Sequence, residues 1–285
     1  WRRMFWSELI PSGLFLILLF FVPKSPRWLA LKGKEEEALK VLKRINEDEA
    51  AEAEIKQIKQ SLNESNDGVK VSYFSKAILV IIAIGTALSM LQQFTGINAV
   101  LYYGADIFEK ALGFGKADIL AQQILLAFVN LIFTFVAMFT VDKFGRKPLL
   151  YIGSFGMIIG FLLLGTTLQQ DNVGVLSLIG VLIFIASFAL SMGPVVWVLL
   201  SEMFPNKIRS AAMSVAVAAQ WAANYVVSQS FPVVMGSETN NSEPWNGSLP
   251  YFIFIAFILV IVYVTYKFIP ETKGKSLEEI EGFWK

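Results

Sequence analysis

Long apolar runs separated by short polar ones make up most of this chain. Seven stretches, near 4–22, 77–103, 119–141, 148–168, 174–200, 208–233 and 250–268, are apolar over a helix's worth of residues. Each is long enough to cross a bilayer core of about 30 Å as an α-helix. Between the first and second runs the pattern changes. Residues 24–76 are polar, with apolar residues returning at helical spacing: Ala38, Leu42 and Ile45, then Ile55, Ile58 and Leu62. That spacing predicts short amphipathic helices lying against a surface at the membrane. Ser25 and Pro26 are the N-cap and first helical position of the first of them. Gly33 is read as a break, and "NESNDG" at 63–68 as a loop.

Polar residues interrupt several apolar runs. In "LQQFTGINAVLYYG" (91–104), Gln92, Gln93, Thr95, Asn98, Tyr102 and Tyr103 surround Gly96. On an ideal helix Gln92, Gln93, Gly96 and Tyr103 fall within a sector of about 100°, and Thr95, Asn98 and Tyr102 fall in another. One straight helix cannot aim both sets at one point, so a break near Gly96 is expected. In "AVAAQWAANYVVS", Gln220, Trp221, Asn224 and Ser228 share one face, flanked by alanines that permit close packing. Asn130 lies inside the run 119–141. Gly193 and Pro194 predict a kink, with Trp197 about one turn beyond. Glu8 is the acid well inside the first run, where it needs a partner or a proton.

Charge supplies the orientation. Of 24 Lys and Arg, 20 fall in 24–76, 142–147, 201–209 and the tail, and four on the opposite side. The positive-inside rule then puts the start outside and the tail in the cytoplasm, as seven spans require. The 55% hydrophobic content, with 24 Phe, fits a multi-span membrane protein. Cys and His are absent, which removes a disulfide framework, a thiol nucleophile and a His-based metal site. No nucleotide loop or activated nucleophile is present, so an enzyme, a cofactor and a nucleic-acid partner are not expected.

Amides beside indole rings suit a sugar. Its hydroxyls donate and accept as Asn and Gln do, and its C–H faces pack on aromatic rings.

The stretches "VPKSPRWL", "QQFTGINAVLYY", "TVDKFGRKPL", "GPVVWVLLSEMFPNKIR", "AVAAQWAANYVVS" and "IPETKGKSLEEIE" together resemble the sugar porter family of the major facilitator superfamily, in family order across the whole chain. The resemblance implies an all-α multi-span membrane protein. Residues 1–23 would be the family's sixth span, 24–76 a cytoplasmic helical domain, 77–268 the C-terminal six-span bundle and 269–285 a cytoplasmic tail. The first five family spans would lie outside this chain, consistent with the missing initiator Met.

By the same resemblance, Gln92, Gln93, Asn98, Tyr102, Asn130, Trp197, Gln220 and Trp221 would line the sugar site. Tyr102, Tyr103, Gly193 and Pro194 would form the gate, and Glu8 is the candidate for proton coupling. Arg27, Asp142, Arg146, Glu202, Arg209 and Glu271 would latch the cytoplasmic side. Two positions depart from the family pattern: Lys24 stands where an acid is usual, and Lys143 where an arginine is more common. If the usual acid pairs with an arginine of the latch, that pairing is lost or replaced here. The implied activity is alternating-access transport of a pentose or hexose, with proton symport as the first expectation. The alternatives are facilitative uniport or a sugar sensor that does not transport. A seven-span retinal protein fits the span count but lacks a lysine deep in any span. The implied protein is a monomer in the bacterial inner membrane when full-length, with sugar, proton and lipid as its partners.

Overall fold

The computed structural model describes residues 2–66, 76–105, 107, 116–172, 174–205, 208–275 and 280, without the side chains of 3, 4, 61–66 and 116–120. The described chain is helical and divides into two compact units, Trp1–Val71 and Ser72–Lys285.

The first unit begins with α1 (Arg2–Ser7) and α2 (Leu9–Leu19). The expected single span at 4–22 is therefore two helices, separated at Glu8. Three amphipathic helices follow: α3 (Pro26–Leu31), α4 (Glu35–Leu42) and α5 (Asp48–Asn66). Ser25 and Pro26 occupy the expected cap and N1 positions, although the Ser25 hydroxyl makes no cap hydrogen bond. Gly33, at φ +73°, separates α3 from α4. Leu29, Ala38, Leu42, Ala51, Ile55 and Ile58 form a small core of their own. The apolar faces of these helices are thus buried in part against one another. A Lys59–Glu35 ion pair also ties α5 to α4.

Two details differ from the sequence reading. Ile45 is 72% exposed, because α4 stops at Leu42 and the helical register is lost before residue 45. Helix α5 runs to Asn66, so the first four residues of the expected loop at 63–68 are helical. Residues 67–68 and the side chain of Leu62 lie outside the description.

The second unit contains α6 (Lys76–Phe94), α7 (Ile97–Tyr102), α8 (Lys116–Phe144), α9 (Arg146–Gln169), α10 (Val175–Leu190), α11 (Met192–Met203), α12 (Arg209–Met235), the single turn α13 (Glu238–Asn241) and α14 (Leu249–Phe268). Helix α9 packs against α10 and α14, α6 against α12 and α14, and α8 against α10. The α9–α10 crossing is close: a Cβ on Gly160 would meet the Gly180 carbonyl at 2.6 Å, and one on Gly180 would meet the Gly160 carbonyl at 2.7 Å. Close approach through small residues is how helices associate without a hydrophobic driving force.

Among the described residues, five helical runs are long and apolar enough to cross a membrane: Lys76–Tyr102, Ala121–Phe144, Arg146–Gln169, Val175–Met203 and Leu249–Phe268. Seven were expected. The first falls short because its described apolar helix, Phe5–Leu19, is below spanning length. The other, α12, has 27 residues, ample for about 30 Å, but its polar face lowers its apolarity. The run 174–200 is also two helices. Its break is at Ser191 (φ −127°, ψ −86°), not at Gly193–Pro194. Helix α11 restarts at Met192, which puts Pro194 in the first turn, where an N–H has no intrahelical acceptor.

Candidate functional site

Helix α6 ends at Phe94, and Gly96 adopts φ +85° before α7 begins, a conformation that favours glycine. The break turns side chains on its two sides toward each other. The Asn98 Nδ2 donates to Gln93 Oε1 at 2.6 Å across it. Thr95 Oγ1 donates back to the Gln92 carbonyl at 2.7 Å, stabilising the turn.

The amides then extend to other helices. Gln220 on α12 donates from Nε2 to Gln92 Oε1 at 2.7 Å, and Gln93 Nε2 lies 3.4 Å from the same oxygen. Gln92 Nε2 donates to the Met192 carbonyl at 2.6 Å and reaches the Gly193 carbonyl at 3.4 Å. Gln92 is therefore the hub, with both ends of its amide engaged by α11 and α12. Gln220 Oε1, by contrast, is buried and has no hydrogen-bond partner among the described residues. Gln92, Gln93, Gln220 and Asn224 are all buried, at 3%, 6%, 5% and 5% exposure. Tyr103 donates from its hydroxyl to the Ser228 carbonyl at 2.9 Å, and Ser228 Oγ donates to Asn224 Oδ1 at 3.0 Å.

The aromatic members of the expected site sit differently. Tyr102, Trp197 and Trp221 are exposed, at 57%, 41% and 61%. Asn130 is half-buried on α8, whose neighbours are α9, α10 and α11. Thus Gln92, Gln93, Asn98 and Gln220 form one hydrogen-bonded cluster, to which Asn130 makes no hydrogen bond. Glu8 lies in the first unit, exposed at the α1–α2 turn.

A second polar cluster joins the end of α8, the start of α9, the end of α11 and the segment after α14. Arg146 forks onto Glu202, with Nη2 to Oε1 at 2.7 Å and Nε to Oε2 at 3.2 Å. Its Nη1 lies 3.1 Å from Asp142 Oδ1. Thr272 Oγ1 donates to Glu202 Oε2 at 2.6 Å.

Glu271 sits on the N-terminus of α9. The backbone N–H groups of Arg146 and Lys147 each donate to one of its oxygens at 3.0 Å. Unsatisfied N–H groups and the helix dipole make that position favourable for an anion. Gly145 precedes the helix at φ +92°, and a Cβ there would come within 2.8 Å of the Glu271 carboxylate. Burial pushes the Glu271 carboxyl up, but backbone N–H donors from Lys273, Arg146, Lys147 and Thr272 outweigh it and hold it below its ordinary value.

Arg209 donates to the Phe204 carbonyl at 3.1 Å. Arg27 lies on α3, in the first unit. Lys24 places its ammonium 5.1 Å from the Trp28 ring centroid, a cation–π contact where the family pattern has an acid. The Lys143 carbonyl accepts from Lys273 Nζ at 2.6 Å. Thr272 and Gly145 were missed as members of this cluster. Both stand inside stretches that carry the family resemblance, "TVDKFGRKPL" and "IPETKGKSLEEIE".

A broken apolar helix whose amides meet those of a second helix, in a bundle of membrane-length helices, defines a helical membrane-type bundle with a polar centre. A family model described as "Sugar (and other) transporter" matches residues 1–284, and the chain belongs to that family. Its sequence is 46% identical to the D-xylose-proton symporter of Escherichia coli (strain K12), over all of this chain and 57% of that protein. It is 42% identical to the glucose facilitated diffusion protein of Zymomonas mobilis, over 98% of this chain and 58% of that one. The solved major facilitator proton:xylose symporter XylE, bound to 6-bromo-6-deoxy-D-glucose, superposes with a TM-score of 0.84 over the whole chain and 59% of its own length, at 46% identity. The chain thus has the fold of part of a major facilitator and spans a little over half the length of these relatives.

Proposed function

We propose that this chain forms the C-terminal part of an alternating-access monosaccharide transporter of a bacterial inner membrane, with its C-terminus in the cytoplasm. The observation that carries the reading is the amide cluster: Gln220 Oε1 is a buried acceptor without a partner among the described residues, in a network of neutral groups that both donate and accept. A sugar hydroxyl satisfies such an acceptor without bringing charge into a low-dielectric site. Trp197 and Trp221, both exposed on the same helices as the amide partners, supply ring faces for the sugar's C–H surface. Asn130 and Tyr102 complete the same wall, and Tyr103 gates it. Residues 1–23 act as a span, 24–76 as a cytoplasmic domain and 269–285 as the tail. The Arg146–Glu202–Glu271 cluster, with Asp142 and Arg209, acts as the cytoplasmic latch.

Proton symport with a pentose or hexose is the first form of this proposal, with Glu8 as a candidate for the coupling group. It follows the likeness to the D-xylose-proton symporter. Facilitated diffusion is the second form, favoured by the 42% identity to the glucose facilitated diffusion protein. Reconstituted full-length protein separates the two. Symport predicts sugar-driven alkalinisation of the medium and uptake that a protonophore abolishes. Saturable uptake indifferent to the protonophore would select uniport, and absence of saturable binding to any pentose or hexose would overturn the sugar reading itself.

A further inference from the structure

An aromatic stack touches α7 at both of its ends. At the start, Phe254 of α14 fills the space beside Gly96: a Cβ built there would lie 2.5 Å from Cδ2 and Cε2 of that ring. At the far end, Tyr103 leans on Phe231 of α12, with ring centroids 5.4 Å apart. The two supports are joined, because Phe231 and Phe254 stack at 6.1 Å with their planes 12° apart. Both rings are buried, at 4% and 6% exposure. Helix α7 is six residues long, so contacts at Gly96 and Tyr103 fix its direction relative to α6. That direction also sets the 2.6 Å Asn98–Gln93 hydrogen bond, since the bond spans the break.

We propose that Phe254, backed by Phe231, is a positioning residue that holds the α6–α7 break at the angle which joins Asn98 to Gln93 and seats Tyr103 on Ser228. Its link to sugar affinity rests on the proposed sugar site. The angle itself can be measured without sugar. Phe254 makes the side-chain contact at the break, while the amides on the other side make the polar one. Loss of the ring leaves a cavity beside a glycine, the residue least able to resist backbone rotation.

These 285 residues contain no cysteine, so once any cysteine outside them is replaced, labels can be placed at chosen positions. Spin labels at Leu101→Cys on α7 and Tyr225→Cys on α12, both exposed positions, report the angle in the full-length protein. Phe254→Leu is expected to broaden the label-to-label distance distribution. Phe184→Leu removes a buried ring that reaches Phe254 through Phe161, at 4.0 Å and 5.7 Å between successive ring centroids, without touching the break, and is expected to leave the distribution unchanged. An unchanged distribution in Phe254→Leu, or equal broadening in both variants, overturns the proposal. Phe254→Met carries the same test if the leucine variant does not fold.

Sugar affinity then gives a second readout. Phe254→Leu should weaken it on the order of fivefold, and should add nothing in an Asn98→Ala background. Independent, additive losses would overturn action through the amide pair. If the unmutated protein binds no sugar while Phe254→Leu still broadens the distribution, the sugar reading falls and the positioning role stands.

Discussion

The amide cluster around Gln92 and the charged cluster around Arg146 are both assembled from segments far apart in the chain, and they use their polar groups in opposite ways. In the charged cluster, Glu202 meets two guanidinium nitrogens and a threonine hydroxyl, and Glu271 meets successive backbone N–H groups at a helix start. The strongest donors face the strongest acceptors, and the geometry is bidentate. In the amide cluster every group is neutral, two contacts are long at 3.4 Å, and one buried acceptor has no partner among the described residues. A cluster of filled charge-assisted bonds holds one arrangement. A cluster of half-filled neutral ones can exchange partners with a hydroxylated ligand at low cost.

The sharpest break of this contrast is Glu202→Ala. The Arg146 and Glu202 side chains are only 12% and 21% exposed, so the substitution strands a guanidinium away from water. Removing one partner of a buried pair costs about 3–5 kcal/mol, and partial exposure here lowers the expectation to about 2–3 kcal/mol. Thermal or denaturant unfolding of the detergent-solubilised protein checks it. Equilibrium sugar affinity in the folded fraction should stay within a few-fold. A stability change under about 0.5 kcal/mol would place this pair with ordinary surface pairs.

The corresponding test of the amide cluster is Gln220→Ala, with Gln92→Ala beside it. Gln220 gives one hydrogen bond to the protein and keeps an unpartnered oxygen, so its loss should weaken sugar binding by about 1–3 kcal/mol while folding survives. Gln92 bridges α11 and α12, so its removal should also lower the melting temperature. Titration calorimetry with a monosaccharide, together with a melting curve, separates the two. Equal melting losses in both variants would erase the distinction between hub and ligand.

These two residues also mark how far the sequence could be read. The break at Gly96 was visible because polar residues fell on two incompatible sectors of one helix. The hub role of Gln92 was not, because its partners Met192 and Gln220 lie 100 and 128 residues away. Local pattern likewise misplaced the second break. Gly193–Pro194 read as a kink, but a proline in a first turn is compatible with a helix that has just restarted, and the chain breaks at Ser191. In the first unit, Ala38, Leu42, Ile55 and Ile58 were legible as an apolar face, and that they would bury one another was not. Periodicity shows that a face needs covering and is silent on what covers it. The membrane-length runs were the most legible feature, since length and apolarity are local. The two that fell short did so in the described length of Phe5–Leu19 and along the polar face of α12.

Glu271 gives a smaller effect with a defined sign. Its carboxyl is held below its ordinary 4.5 by backbone donors acting against burial. A depressed native value means that the stabilisation is present above 4.5 and is lost as pH falls from there through the native value. Melting curves of the parent protein and Glu271→Gln should therefore lie furthest apart near neutral pH and converge in acid. A gap that widens below pH 4.5 would show that the helix-start contact does not depend on ionised Glu271.

The smallest expected effect belongs to Asp142→Asn, and it tests whether geometry or proximity determines strength within the charged cluster. Asp142 lies as close to Arg146, at 3.1 Å, as Glu202 does through Nε. Distance alone would rank the two acids together. Asp142, however, is 82% exposed and meets a single nitrogen across one helical turn, while Glu202 is mostly buried and takes the guanidinium by two edges. Water screens the first interaction and not the second, and an exposed i,i+4 pair contributes about 0.3–0.5 kcal/mol. Asp142→Asn should accordingly change stability by less than about 0.5 kcal/mol, with a difference that vanishes in high salt. A loss as large as that of Glu202→Ala, persisting in salt, would mean that Asp142 holds Arg146 in place for its fork and that the two carboxylates act as one unit.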